Sequence, residues 1–108
     1  MWFVFPQLAG LGRSPTAQWF AISGRAEALA YVGHEVLGAR LRECTALVNA
    51  VTGKSATDIF GHLDSLKFRS SMTLFMLVAP GEPVFRDALR KYCAGNPDEL
   101  TVEALREP

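Results

Sequence analysis

The chain has few cysteines, no excess of either charge and no long hydrophobic run. Its 108 residues include eleven basic and eleven acidic side chains, so net charge gives no reason to expect nucleic acid or a membrane surface as a partner. Cys44 and Cys93 are too few for a disulfide scaffold and are predicted to be buried thiols, with a single bridge as the alternative. No apolar run approaches the roughly 18 to 20 residues that span a bilayer. These absences predict a cytoplasmic protein.

Recognisable catalytic and cofactor motifs are also missing. His34 and His62 are the only histidines, and neither has further ligands at metal-binding spacing. There is no nucleophile elbow, phosphate-binding loop or dinucleotide fingerprint. Cys44 and Cys93 lie on apolar helix faces without a neighbouring base, which argues against nucleophilic catalysis. We therefore expect no metal and no cofactor, and the sequence does not decide whether the protein is an enzyme.

The N-terminal stretch "MWFVFPQLAGLG" is almost wholly apolar. It has no basic residue ahead of the apolar stretch, and Pro6 interrupts it, so it does not fit a secretory signal. We expect residues 1–13 to be extended or irregular. Trp2, Phe3 and Phe5 would then be core residues that lack part of their cover, and they are candidates for a contact between two copies of the chain.

Most of the remaining chain shows helical patterning. Ser14 and Pro15 suit the start of a first helix, and Gly24 within it is predicted to mark a close helix crossing. The segment "MTLFMLVA" is apolar on every face, so it is either a central helix or a buried strand; we favour helix. The predicted helices cover residues 14–33, 36–51, 64–79, 83–94 and 101–106, with one capped turn at 55–60. The expected fold is all-α, a compact single domain of about four to five helices over 1–108, with its helical core at 14–108.

Polar and basic side chains are densest in "KFRSSMT", near the start of the central helix. Two cations and several hydroxyls there could hold a phosphate or a carboxylate. The alternative is that the cations are solvated and the hydroxyls bond to backbone carbonyls. Convergence with other polar groups would favour the site. The candidate anion site consists of Gln7, Arg13, Lys67, Arg69, Ser70 and Ser71, and its expected ligand is a small anionic or nucleotide-like molecule.

Four long blocks of the sequence are familiar: "MWFVFPQLAGLGRSPTAQ", "AISGRAEALAYVGHEVLGARLRECT", "IFGHLDSLKFRSSMTLF" and "VFRDALRKYCAGNPDELT". In this order they resemble the bacterial family of domain-of-unknown-function 1810. The resemblance implies a mainly α-helical protein and brings no established activity. The resemblance implies a further helix before the "MWF" block in most members, and we expect that helix to be missing here because the sequence starts in the block itself. Some are labelled calpastatin, but calpastatin inhibitory segments are disordered in isolation, whereas this sequence is patterned for a packed core.

Three hypotheses for function follow. The first is binding of a small anionic ligand at the candidate anion site. The second, prompted by a fainter likeness to N-glycosidases of NAD and ADP-ribose metabolism, is a hydrolase in which Glu27, Glu43 or Asp64 converges on the same cluster. The third is a protein-interaction module that docks through the apolar N-terminus.

Overall fold

A computed structural model describes residues 5–7 and 22–106 of the chain, and helices dominate these residues. Within them there are six α-helices and no strand, which confirms the all-α fold class. The fold is compact, with a radius of gyration of 12.7 Å. The helices are α1 (Arg25–Gly33), α2 (Leu37–Asn49), α3 (Ala56–Phe60), α4 (His62–Val78), α5 (Pro83–Cys93) and α6 (Glu99–Arg106).

Helix α4 is the centre of the fold. It packs against α1, α3, α5 and α6, while α2 packs on α1 and α5. The whole stretch from Ser70 to Phe75 is buried. Because "MTLFMLVA" is covered by neighbours on every side, its continuous hydrophobicity belongs to a surrounded helix. The helical interpretation of this segment is confirmed.

An aromatic cluster joins the N-terminal segment to the helices. The ring of Phe68 on α4 stacks on Phe60 at 4.9 Å and meets the edges of Phe5 at 5.0 Å and Tyr92 at 6.2 Å. Phe5 is only 5% exposed, so it is a core residue, as predicted. Trp2 and Phe3 lie outside the described residues, and self-association through these aromatics stays a prediction.

The first helix begins later than the sequence suggested. The backbone N–H of Ile22 donates to the carbonyl of Gln7 at 2.8 Å, and α1 starts only at Arg25. The N–H and hydroxyl of Ser23 both donate to Glu27 Oε2, at 3.1 and 2.5 Å. In a longer helix the Ser23 N–H would instead bond to a backbone carbonyl one turn earlier. The prediction of continuous helix is therefore wrong at residues 22–24. Residues 14–21 lie outside the described part.

Gly24 is not a close crossing point. No described atom lies within 4 Å of the position that a Cβ would occupy there. The close approach occurs instead at Gly38 on α2, where a Cβ would collide with the carbonyl of Val32. The prediction of a close helix crossing at Gly24 is therefore wrong, and the glycine at which two helices approach closely is Gly38.

Helix α3 starts with the capping box that the sequence predicted. The hydroxyl of Ser55 accepts from the N–H of Asp58 at 3.1 Å, and the Asp58 carboxylate accepts from the N–H of Ser55 at 2.9 Å. Hydrogen bonds to the carboxylate, first from the backbone N–H of Ser55 and second from its side chain, lower the pKa of Asp58 from 3.8. The charged carboxylate is therefore favoured in the folded state.

This capping box should make stability depend on pH. Because the pKa of Asp58 is lowered by folding, its contribution is fully present above about pH 5 and is lost as the pH falls below 3.8 through the folded value. We expect Asp58→Ala to lower the melting temperature at neutral pH, with the deficit relative to wild type shrinking at pH 3 and below. Asp87→Ala on α5, which changes an exposed carboxylate, is the control. A deficit that is the same at pH 3 and pH 7 would contradict the prediction.

Among residues 5–7 and 22–106, no helix combines the length and the hydrophobicity needed to cross a bilayer.

Cys44 and Cys93 are free thiols in the structure, and both are partly buried, less than the full burial that the sequence predicted.

Candidate functional site

The described residues of the predicted anion site do not all meet on one face of α4. Lys67, Ser70 and Ser71 follow each other at helical spacing, whereas Arg69 lies on a different side of the helix. Lys67 Nζ lies 3.4 Å from Asp64 Oδ1, one turn earlier on the helix. The hydroxyl of Ser70 donates to the carbonyl of Leu66 at 3.1 Å. For Ser70, therefore, the structure has the bond to backbone that was the alternative to ligand binding.

Ser71 and Arg69 lie on opposite sides of α4, because residues two apart are rotated by about 200° around a helix. Ser71 is fully buried, and its hydroxyl has no hydrogen-bond partner. Gln7 is 4% exposed and belongs to the N-terminal segment that pairs with Ile22. Arg13 lies outside the described residues. Of the five predicted residues that the structure describes, Arg69 is the one that lines the pocket described below.

Arg69 fixes the connection between α5 and α6. Its Nε donates to the carbonyl of Asn96 at 3.0 Å, and its Nη2 donates to the carbonyl of Pro97 at 2.9 Å. One turn later on the same face, the hydroxyl of Thr73 accepts from the N–H of Asp98 at 2.8 Å. The two side chains together hold residues 96–98 against α4.

A pocket of about 240 Å³ opens beside Arg69. It is formed by the start of α3, the first half of α4, the end of α5 and the turn that follows α5. The wall contains one cationic side chain, several hydroxyls and no carboxylate. The lining residues are Ser55, Ala56, Thr57, Ser65, Leu66, Arg69, Tyr92, Cys93 and Asn96.

The guanidinium of Arg69 keeps donors for a ligand. An arginine has five N–H groups, and the bonds to Asn96 and Pro97 use two of them. The other three have no acceptor among the described residues. The hydroxyl of Ser55, by contrast, is engaged in the capping box with Asp58. The pocket can therefore donate several hydrogen bonds to an anion.

The other polar groups of the wall are engaged or neutral. The Ser65 hydroxyl donates to the carbonyl of His62 at 2.6 Å, and the Tyr92 hydroxyl donates to the carbonyl of Val48. Burial raises the pKa of the Cys93 thiol, and the charge of Arg69 offsets this only in part. Cys93 is therefore protonated at neutral pH and is not poised as a thiolate nucleophile.

The carboxylates that a hydrolase would need lie elsewhere. Glu27 accepts from Ser23 at the start of α1, Glu43 is exposed on α2, and Asp64 faces Lys67. None of the three lines the pocket. The described residues also contain no group of three or more His, Cys, Asp and Glu side chains that could hold a metal ion. The chemistry that the pocket does offer is recognition of negative charge.

Sequence reasoning found Arg69 but missed most of the pocket. Ser55 and Thr57 were interpreted only as part of a capped turn, and Asn96 only as part of a turn. The sequence offered one weak signal, the glycine at position 95 after the predicted helix. In the structure Ala94 and Gly95 have positive φ, 53° and 79°, and the chain turns back toward α4 there. A Gly after a helix predicts its end, but it does not say which residues the following turn will approach.

Comparison with known proteins places this fold in a family. The family model described as "Protein of unknown function (DUF1810)" matches residues 1–105. The crystal structure of the conserved hypothetical protein Rv1873 from Mycobacterium tuberculosis is similar, with a TM-score of 0.97 and 50% sequence identity. The match covers 99% of this chain and 76% of that one. A search of curated proteins gives no significant match. The resemblance drawn from the four sequence blocks is confirmed, and the chain belongs to the DUF1810 family of proteins of unknown function.

Proposed function

We propose that the protein binds a small anionic molecule in the pocket beside Arg69. The observation that carries this proposal is the composition of the pocket wall, in which a single guanidinium stands among hydroxyls without any carboxylate. An arginine in such a wall has no ion-pair partner within the pocket. A bound anion would supply one.

The state of the Arg69 side chain supports this role. Two backbone carbonyls hold the guanidinium in place, so little side-chain entropy is lost when a ligand binds. The planar group can present its remaining N–H donors to a phosphate or a carboxylate. Partial burial strengthens the interaction relative to one in bulk water. The pocket is thus organised for an anion before the anion arrives.

The size of the pocket narrows the ligand. Sites for drug-sized molecules usually enclose about 300 to 1,000 Å³, whereas this one has about 240 Å³. A volume of that order accommodates a phosphate or carboxylate group with a small substituent. We therefore propose a small anion in preference to a whole nucleotide, which was the larger alternative suggested by the sequence.

Removal of the Arg69 charge tests the proposal. We expect inorganic phosphate to bind the wild-type chain in a titration followed by ¹H–¹⁵N NMR, with shifts at residues of the pocket wall. Arg69→Gln should weaken binding at least about tenfold, since a hydrogen bond to a charged group is worth about 1.5 to 3 kcal/mol. Arg86→Gln, which removes an exposed charge from α5, should leave the affinity unchanged.

A second control separates charge from loop position. Arg69→Gln also removes the bonds to Asn96 and Pro97, so it could act by releasing the turn. Thr73→Val releases the same turn at Asp98 and does not change the pocket wall. If Thr73→Val retains phosphate binding while Arg69→Gln loses it, the charge is responsible. Acetate is titrated in the same way as phosphate. The proposed function would be refuted if neither anion bound the wild type, or if Arg69→Gln bound them as tightly as the wild type does.

A further inference from the structure

We infer that the ligand of this pocket is an organic anion whose apolar portion packs on Leu66, and not an inorganic ion. This inference rests on the proposed function, because it concerns the same pocket. It adds the class of molecule: an anionic head group that carries a short hydrocarbon substituent.

The pocket has an apolar side that an inorganic ion would leave unused. Leu66 is 48% exposed although it lies on α4, the most buried helix of the fold. It lines the pocket together with Ala56 and the partly buried Tyr92 and Cys93. The Tyr92 hydroxyl is already bonded to α2, and the Cys93 thiol is neutral. These residues therefore offer hydrocarbon, an aromatic ring and a neutral sulfur, all suited to apolar contact.

The spacing of Leu66 and Arg69 fits one bifunctional ligand. The two residues are three positions apart on α4, so they lie on neighbouring turns of the same face, separated by about 4.5 Å along the axis. Both side chains line the same pocket. An anion bound at Arg69 could therefore place a short substituent on the side of the pocket that Leu66 forms.

A comparison of paired probes measures this apolar contribution. Inorganic phosphate is compared with ethyl phosphate, and acetate with butyrate, so that each pair differs by two carbons; binding is measured by isothermal titration calorimetry on the full chain. Burial of two methylene groups is worth about 0.8 kcal/mol each, so the substituted member of a pair should bind roughly tenfold more tightly. The pair in which this difference appears identifies the head group as phosphate or carboxylate.

Leu66→Ala should remove most of the advantage of the substituent. We expect it to weaken binding of the substituted anion by about threefold to tenfold and to leave binding of the bare anion unchanged. Leu63→Ala is the matched control, because Leu63 lies one turn earlier on α4, is 71% exposed and does not line the pocket. Leu63→Ala should change neither affinity.

The outcomes distinguish this inference from the proposed function. If bare and substituted anions bind equally and depend on Arg69, the proposed function stands and the inference is wrong. If Leu63→Ala weakens the substituted anion as much as Leu66→Ala does, the alkyl group adsorbs nonspecifically, which also overturns the inference. If no probe binds the wild type, the proposed function and this inference are both wrong.

Discussion

Phe68→Ala should destabilise the protein by about 3 to 5 kcal/mol, the usual cost of deleting a buried aromatic side chain. Phe68 is fully buried in α4, and its ring contacts Phe5, Phe60 and Tyr92, which belong to three different parts of the chain. The cavity left by the ring would open where the N-terminal segment, α3 and α5 meet α4. Urea unfolding followed by circular dichroism measures the loss.

Two controls define what the Phe68 experiment means. Phe68→Leu keeps much of the volume and should cost clearly less than the alanine variant. Leu63→Ala on the exposed face of the same helix should stay within about 0.5 kcal/mol of wild type. A domain of this size has a total stability of about 5 to 15 kcal/mol, so Phe68→Ala could leave a measurable unfolded population. A loss below about 1 kcal/mol would show that the aromatic cluster is not the centre of stability.

The helices of the second half were predictable because local signals and packing agree there. On α5, Pro83 stands at the start, the buried Phe85, Ala88 and Leu89 follow at helical spacing, and the turn after Cys93 contains Gly95. The capping box at Ser55 and Asp58 was likewise encoded by neighbours in sequence. Where caps and periodicity coincide, the sequence is sufficient to place an element.

The start of α1 was not predictable from the same signals. Residues 20–32 carry apolar side chains at helical spacing, yet Ile22 bonds to Gln7 and is only 2% exposed. This bond joins Ile22 to a segment fifteen positions earlier, and no local pattern reveals such a partner. Ser23 then contributes its own bond to Glu27, and the helix begins two residues later. A tertiary contact overrides helical propensity here.

The described residues of the candidate anion site do not all line the pocket, and the reason is geometric. Lys67, Arg69, Ser70 and Ser71 are close in sequence, but each step along α4 rotates the side chain by about 100°. Arg69 therefore reaches the pocket, while Ser71 is buried on the other side. The groups that join Arg69 come from Ser55 to Asn96, positions that only the tertiary fold brings together. Two of the hydroxyls in "KFRSSMT" bond within the helix itself: Ser70 and Thr73 donate to backbone carbonyls one turn earlier.

Gly38→Ala should destabilise the protein strongly, with an expected loss of about 3 kcal/mol. A Cβ at this position would lie 2.8 Å from the carbonyl carbon of Val32 and still closer to its oxygen. Both partners are backbone, so no side-chain rotation relieves the collision, and α2 must move away from the end of α1. The melting temperature and the free energy of unfolding in urea measure the effect.

The same displacement would break a set of bonds that ties three helices together. Arg42 Nη2 donates to the Val32 carbonyl at 2.8 Å, and Arg42 Nε is paired with Glu82 at the start of α5. Gly33→Ala is the matched control: Gly33 ends α1 five positions earlier, and no described atom lies within 4 Å of its Cβ position. Because alanine favours helix, that change should be neutral or stabilise by up to about 1 kcal/mol. If Gly38→Ala and Gly33→Ala unfolded at the same urea concentration, the close approach of α1 and α2 at Val32 would be disproved.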